Sequence, residues 1–231
     1  PADIAVSADG MVYVADSGNY RISVFDADLE YRRSVTVDNR PVRVDVDSLG
    51  NIYVVYGMPV GPVVHRFSAV GEYEISFADR RPAYLRRISE LTTSACDICV
   101  DGDDNIWLLY NHYYLLRCYS SSGQQLQALE ILTPLDALSL SELNEAGNRR
   151  RFITSSVEFQ NGKLIIPLVG PLPDGRDARY SIDVIRPERA EATRFFHDAL
   201  AYVAHAVPDG TTVHLFDVAW VRAAFSVDTE Q

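Results

Sequence analysis

The sequence predicts an all-β protein, a β-propeller of four-stranded antiparallel blades. Three observations lead to this prediction. Short alternating strands recur with a pitch of roughly 40 residues, which is typical of propeller blades. Polar turns of Gly, Asn and Asp separate the strands. The 231 residues are 47% hydrophobic, enough for a normal core that needs no disulfide or metal. Five blades are visible in a single domain spanning 1–231, at about 2–37, 42–78, 95–131, 152–197 and 201–227.

The opening hairpin of each of the first three blades has the same pattern. Segments that begin at Ala2, Val42 and Cys96 align without a gap. Each contains an alternating strand, a polar turn that tolerates positive φ, and a second strand. The second strand carries an aromatic residue at one shared position, namely Tyr13, Tyr53 and Trp107. These features predict antiparallel hairpins.

Two further strands complete each of these blades. The third strand ends in an aromatic residue, at Phe25, Phe67 and Tyr119. The fourth strand is more polar and covers about 31–37, 72–77 and 125–131. Four strands in about 40 residues match the length of a propeller blade.

Two weaker copies follow. Blade four has a hairpin around Asn161-Gly162, and blade five has one around Asp209-Gly210 with a single strand after it. Between blades three and four, a helical insertion is predicted over about 134–148. There Ser139 and Glu142 have capping-box spacing, and Gly147 is a suitable stop.

The first blade resembles an NHL repeat. The residues that carry the resemblance are Asp3-Ile4-Ala5-Val6, Asp9-Gly10, Val12 to Ser17, Asn19 and Arg21 to Phe25. NHL proteins are β-propellers, commonly with six blades, so the resemblance implies a ring that is either five-bladed or closed as six by residues outside this chain. We favour the second. The resemblance fades in later blades and supports the fold more than a function, because propellers host many activities.

Composition restricts the class of partner. Acidic residues outnumber basic ones by 32 to 21, the net charge is −11 and the pI is about 4.8. Nucleic-acid binding needs a basic surface, so we predict no nucleic-acid partner.

The longest apolar runs are too short to span a bilayer, which takes about 20 residues. The chain opens with Pro1 and enters a strand directly. This leaves the compartment open, and an extracytoplasmic location is favoured over a cytoplasmic one.

Three cysteines, Cys96, Cys99 and Cys118, are predicted to be buried thiols without a disulfide. The CxxC of Cys96 and Cys99 lies in a strand pattern, where it lacks the low pKa of a redox motif at a helix start. No second CxxC or His pair follows at zinc spacing. Cys118 belongs to the third strand of the blade, too far from the first strand for a disulfide.

The loops that join second to third strands are expected to share a face with the connections between blades. Seven residues of these loops are predicted to bind a partner: Asn19, Tyr20, Met58, His112, Tyr113, Asp174 and Arg176. These loops differ from blade to blade while the strands remain alike. They carry Tyr, Met and Arg, which are enriched at interfaces.

The prediction for function is a non-catalytic binding or scaffold propeller whose partner is a protein or glycan, as a subunit of a larger assembly. No cofactor and no metal are predicted. The acidic turn 101–105 reads as a hairpin rather than a Ca²⁺ loop. Asp3, Asp45 and Asp97 do not repeat as a ring of ligands. The alternative is a metal-dependent lyase or lactonase-type hydrolase that acts at the central channel.

Overall fold

A computed structural model gives the fold. The structure describes residues 1–57, 61–79, 96–110, 115–130, 153–154, 156–170, 179–189, 191–197, 203–209, 212–217 and 224–228. These residues form antiparallel strands and two 3-10 turns, Ser17–Asn19 and Pro187–Arg189. The chain divides into two compact units, residues 1–108 with 117–127, and residues 109–116 with 128–231. Among the described residues, no helix is long and apolar enough to cross a membrane.

Three sheets have four strands each, in simple sequential order. We call them blades 1 to 3. Blade 1 contains β1 (Asp3–Val6), β2 (Val12–Asp16), β3 (Arg21–Phe25) and β4 (Tyr31–Thr36). Blade 2 contains β5 (Pro41–Val46), β6 (Ile52–Tyr56), β7 (Pro62–Phe67) and β8 (Tyr73–Asp79). Blade 3 contains β9 (Cys96–Val100), β10 (Ile106–Tyr110), β11 (Leu115–Tyr119) and β12 (Gln125–Glu130).

Two further sheets follow the predicted boundaries of blades four and five. The fourth sheet contains β13 (Ile153–Thr154), β14 (Glu158–Gln160), β15 (Lys163–Gly170), β16 (Arg179–Arg186) and β17 (Glu191–His197). The strand that precedes the hairpin at Asn161-Gly162, predicted as one strand from Thr154 to Phe159, is split into β13 and β14, which both pair with β15. The last sheet contains β18 (Val203–Asp209), β19 (Thr212–Asp217) and β20 (Ala224–Asp228). The helical insertion predicted over 134–148 lies outside the described residues.

The tight hairpins explain the repeated turn residues. The turns hold Gly10, Gly50 and Asp104 at aligned positions, with φ of 85°, 79° and 61°. Glycine adopts this conformation without steric cost, and Asp is among the few other residues that tolerate it. A shared register follows, with Ile4 opposite Val14 in blade 1 and Val44 opposite Val54 in blade 2.

The core of the first unit lies between stacked blades. One face of blade 1 packs against one face of blade 2. Blade 1 contributes Ala5, Tyr13, Ala15, Ile22, Val24 and Val35; blade 2 contributes Val44, Val46, Ile52, Val54 and Phe67. Side chains alternate between the two faces of a strand, so each blade has a second face that is available to another neighbour. The first strands β1, β5 and β9 contact one another in succession and are therefore the inner strands of the stack.

Candidate functional site

The structure describes two of the seven predicted partner-binding residues, Asn19 and Tyr20. Both lie in the loop between β2 and β3. Met58, His112, Tyr113, Asp174 and Arg176 lie outside the described residues. The described part of the candidate site is the β2–β3 loop and the chain segment that connects blade 1 to blade 2.

Tyr20 is the exposed aromatic residue of this loop. Tyr20 is 52% exposed to solvent. Its backbone is left-handed, with φ 54° and ψ 48°, because Tyr20 ends the 3-10 turn Ser17–Asn19. The backbone N–H of Val37 donates to the carbonyl oxygen of Tyr20 at 3.0 Å. A non-glycine residue in this conformation persists only where the surroundings enforce it, so the ring is presented by a well-defined backbone.

Hydrogen bonds among Asp16, Asn19 and Arg21 hold the loop. The Nδ2 atom of Asn19 donates to both carboxylate oxygens of Asp16, at 3.0 and 2.9 Å. The Nε atom of Arg21 donates to Oδ2 of Asp16 at 2.8 Å. These hydrogen bonds, that of Asn19 first, lower the pKa of Asp16 below its usual value. Asn19 therefore positions the loop, and Tyr20 projects from it.

The same loop meets the connection between the blades. The hydroxyl of Ser17, which is buried, donates to the carbonyl oxygen of Pro41 at the start of β5. In blade 2, the N–H of Gly57 after β6 donates to the carbonyl oxygen of Arg40 at 3.0 Å. Loops that follow the second strand thus lie beside the connection from blade 1 to blade 2, on one face of the first unit.

The hairpins at the other ends of the strands are closed by carboxylates. In blade 2, Oδ1 of the buried Asp47 accepts from the N–H of Asn51 at 2.8 Å, and Oδ2 accepts from the hydroxyl of Tyr53 at 3.0 Å. In blade 3, Asp101 accepts from the N–H of Asn105 and from the indole N–H of Trp107, each at 2.9 Å. In blades 2 and 3 the repeated aromatic residue therefore donates a hydrogen bond to the carboxylate of the turn, and the Asp101 carboxylate is occupied by groups of its own hairpin.

The inner strands bring three carboxylates and one guanidinium together. Asp3, Arg43 and Asp97 occupy aligned positions on β1, β5 and β9, and Asp45 lies two residues further along β5. Oδ2 of Asp3 accepts from the N–H of Val44 at 2.9 Å. The Nε atom of Arg43 pairs with Oδ1 of the buried Asp97 at 2.6 Å.

Asp45 lies between its neighbours on the inner strands. Its carboxylate accepts from the N–H of Val46 at 2.8 Å and from that of Val100 at 2.7 Å. Burial, assisted by the negative charges of Asp3 and Asp97, raises the pKa of Asp45 to about 7. Asp45 therefore accepts hydrogen bonds from amides of two inner strands and takes up a proton as the pH falls through about 7.

The arrangement of these side chains bears on metal binding. Within the described part of the chain, no three His, Cys, Asp or Glu side chains are arranged to hold a metal ion. The sequence offers Asp3, Asp45 and Asp97 as candidate ligands that do not repeat as a ring. In the structure Asp3 and Asp45 accept from backbone amides and Asp97 pairs with Arg43, which stands at the position aligned with Asp3 and Asp97. These contacts were not predicted, although the charge reversal at the aligned position is visible in the sequence.

The three cysteines are buried, and none forms a disulfide. Burial raises the pKa of Cys118 to about 12, so its thiol is protonated and unreactive at neutral pH. The prediction of buried structural thiols is confirmed.

Comparisons with known proteins agree with this architecture. Residues 1–25 match the NHL repeat. No curated protein matches the sequence.

Three solved structures are similar in fold. A protein of unknown function from Bacteroides caccae is 12% identical, with a TM-score of 0.60, over 99% of this chain and 78% of its own. Virginiamycin B lyase from Staphylococcus aureus is 12% identical, with a TM-score of 0.54, over 92% and 75%. A Bacteroides fragilis protein that is provisionally described as exported is 9% identical, with a TM-score of 0.56, over 93% and 65%. At these identities the likeness concerns the fold alone. The chain is thus an all-β protein of the β-propeller fold whose first blade contains an NHL repeat.

Proposed function

We propose that this propeller is a non-catalytic binding module that presents the β2–β3 loop face to a protein or glycan partner. The observation that carries the proposal is Tyr20, an exposed aromatic side chain on a left-handed backbone that is fixed by its neighbours. Tyr supplies a large contact area at a small cost in conformational entropy, and a preorganised loop loses less entropy on binding. The other proposed contacts on this face are Met58, His112, Tyr113, Asp174 and Arg176.

Charge favours a protein or glycan partner. With a net charge of −11, the chain repels phosphate backbones. In the same loop as Tyr20, the Asp16 carboxylate is paired with the Arg21 guanidinium and accepts hydrogen bonds from the Asn19 amide. A neutral polar partner can therefore approach the ring without facing an uncompensated charge. The proposed location is extracytoplasmic, which is supported by the fold likeness to the provisionally exported B. fragilis protein.

The test compares two tyrosines of similar exposure. Tyr20 is 52% exposed in the loop, and Tyr31 is 56% exposed at the start of β4. A photoreactive phenylalanine derivative placed at either position in living cells should form adducts from position 20 and few from position 31. With the captured partner purified, or with a glycan identified on an array, Tyr20→Ala should weaken binding at least about tenfold. Tyr31→Ala should leave the affinity unchanged.

Two outcomes would contradict the proposal. One is equal adduct formation from both positions, and the other is unchanged affinity of Tyr20→Ala. A melting temperature measured for each variant separates loss of binding from loss of folding. Tyr20→Phe is the matched control, because it keeps the ring and the backbone.

The alternative function is a metal-dependent lyase or hydrolase, which is favoured by the fold likeness to virginiamycin B lyase. An enzyme of this kind retains a stoichiometric divalent metal, which elemental analysis of the purified protein would detect. Addition of a chelator, which removes the metal, would also abolish its activity. Metal at one equivalent together with a chelator-sensitive activity would replace the binding proposal.

A further inference from the structure

Arg40 lies in the connection between blades 1 and 2, on the same face of the first unit as Tyr20. The N–H of Val37 donates to the carbonyl oxygen of Tyr20 at 3.0 Å. At the other end of the connection, the hydroxyl of Ser17 donates to the carbonyl oxygen of Pro41. The connection therefore runs alongside the β2–β3 loop, and Arg40 lies between the two points of attachment. The exposed side chains of Arg40 and Tyr20 consequently belong to one surface.

Blade 2 fixes the backbone at Arg40 as well. The N–H of Gly57 donates to the carbonyl oxygen of Arg40 at 3.0 Å. A Cβ atom added at Gly57 would meet Cγ1 of Val42 at 3.0 Å, so the residue after β6 is packed closely on the connection. Arg40 is therefore presented by a preorganised backbone, which reduces the entropy lost when a partner binds.

The guanidinium of Arg40 is available to a partner, whereas those of nearby strands are held within the protein. Arg21 and Arg43 pair with carboxylates, and Arg33 donates to the carbonyl oxygen of Ala69. Within the described part of the chain, the side chain of Arg40 makes no ion pair and no hydrogen bond. A guanidinium is a rigid fork of N–H donors that matches a carboxylate through two parallel hydrogen bonds.

The local charges favour a carboxylate at this position. The Asp16 carboxylate is already paired with Arg21. Asp38, which is exposed in the same connection, forms no ion pair with Arg40 among the described residues. Its negative charge acts instead on the buried Tyr56, whose pKa is raised by burial and then by Asp38. Charges farther away than about 8 Å are largely screened at physiological ionic strength, so the total charge of −11 does not govern a contact at Arg40.

We infer that Arg40 is the second anchor of this face, and that the partner is a protein that places an Asp or Glu carboxylate on the Arg40 guanidinium while it covers Tyr20. The inference rests on the proposed function and selects a protein over a glycan. Tyr and Arg are the residue types that most often dominate the energy of protein–protein contacts, and such residues cluster within one contact region. A single carboxylate at Arg40 also satisfies the one guanidinium of this surface that the protein leaves unpaired.

Affinity measurements test the inference. The probe is the protein that the photoreactive residue at position 20 captures, after it has been identified and purified. Arg40→Gln should weaken its binding at least about tenfold, and Arg40→Lys, which keeps the charge but not the fork, by about threefold or more. Arg32→Gln is the matched control, because it removes the same charge from an exposed side chain that pairs with Asp26. It should leave the affinity unchanged. Arg40→Gln should melt like the wild type, because the side chain has no contact to lose.

A zero-length cross-link locates the carboxylate on the partner. Lys163 is the only lysine of the chain, so Arg40→Lys adds a second lysine amine in a known place. Combined with Asp38→Asn, which prevents coupling within the connection, a carbodiimide should join this amine to an Asp or Glu of the partner. Val70→Lys, at a residue that is 73% exposed in the turn before β8, should give no such product. Arg40→Glu together with Arg at the mapped partner position should bind at least about tenfold more tightly than Arg40→Glu alone.

Several results would overturn the inference. If Tyr20→Ala weakens binding and Arg40→Gln does not, Arg40 is not an anchor, although the proposed function stands. If Asp38→Asn weakens binding and Arg40→Gln strengthens it, the partner presents a cation. Weaker binding of Arg40→Gln together with a lower melting temperature would mean that Arg40 supports the fold. Capture of a glycan would make the class of partner wrong. A lack of adducts from position 20 would refute the proposed function itself, and this inference with it.

Discussion

Asp45 makes the stability of this protein depend on pH in an unusual direction. Burial and the nearby carboxylates of Asp3 and Asp97 raise its pKa from 3.8 to about 7. Between these two pH values the native state binds a proton that the unfolded state has released. The free energy of unfolding therefore falls as the pH rises from about 4 to about 7, and this contribution is complete below pH 4. Asp45→Asn should remove this dependence, because an amide does not titrate.

The magnitude follows from the size of the shift. A change of one pKa unit corresponds to about 1.4 kcal/mol, so the shift of Asp45 amounts to about 4 kcal/mol over the full range. The protonated acid and the amide are close isosteres. The variant should therefore lie within about 1 kcal/mol of the wild type near pH 4, where one hydrogen bond to Val46 or Val100 is rearranged. Near pH 8 the variant should be the more stable protein, by up to about 4 kcal/mol.

The assay is urea unfolding at half-unit pH steps from 4 to 8.5, followed by tryptophan fluorescence, to which the buried Trp107 contributes. The difference in unfolding free energy between Asp45→Asn and wild type removes the contributions of titratable groups that do not interact with Asp45. Gly18→Ala, which changes no titratable group and meets no atom within 4 Å, is the control and should give a constant difference. A constant difference for Asp45→Asn as well, or one that grows toward low pH, would refute the reasoning.

Three further predictions concern local geometry. Asp104→Ala should lower the free energy of unfolding by about 2–3 kcal/mol in urea titration, because it removes two hydrogen bonds from Ser48 and places alanine at φ 61°. Asp104→Gly should cost about 1 kcal/mol less, because glycine adopts this φ without strain. Equal losses for the two variants would contradict this account. Gly50→Ala, at φ 79°, should lower the free energy of unfolding by about 1–2 kcal/mol, because alanine is strained at this φ. Gly18→Ala, with no atom within 4 Å of the added carbon, should change it by less than about 0.5 kcal/mol. Similar losses for the two variants would rule out the backbone explanation. Ellman titration should find no reactive thiol in the native protein and three per chain after unfolding without reductant; one thiol in the unfolded protein would reveal a disulfide.

The strands and hairpins could be predicted from the sequence because they depend on local patterns. Alternation of apolar residues, and a Gly or Asp with positive φ at one aligned position, set the register of each blade without information from distant residues. The NHL resemblance of the first blade has the same local origin. The split first strand of the fourth sheet was not foreseen, since Thr154 to Phe159 reads as one continuous strand.

For the candidate site, the sequence indicated that the β2–β3 loop is distinctive, but the left-handed Tyr20 and its support by Asp16 and Val37 required the folded backbone.

Interactions between blades were decided by tertiary structure alone. Asp3 and Asp97 occupy the same aligned position, yet one caps an amide of the next blade and the other pairs with Arg43 of the previous one. Ile4 and Val44 are equally apolar, yet one is exposed and the other is buried. A residue's own strand sets the direction of its side chain, whereas its partner is supplied by a blade 40 or more residues away. Hydrogen bonds, burial and the pKa of Asp45 all depend on that distant partner, and so they emerge only when the blades are stacked.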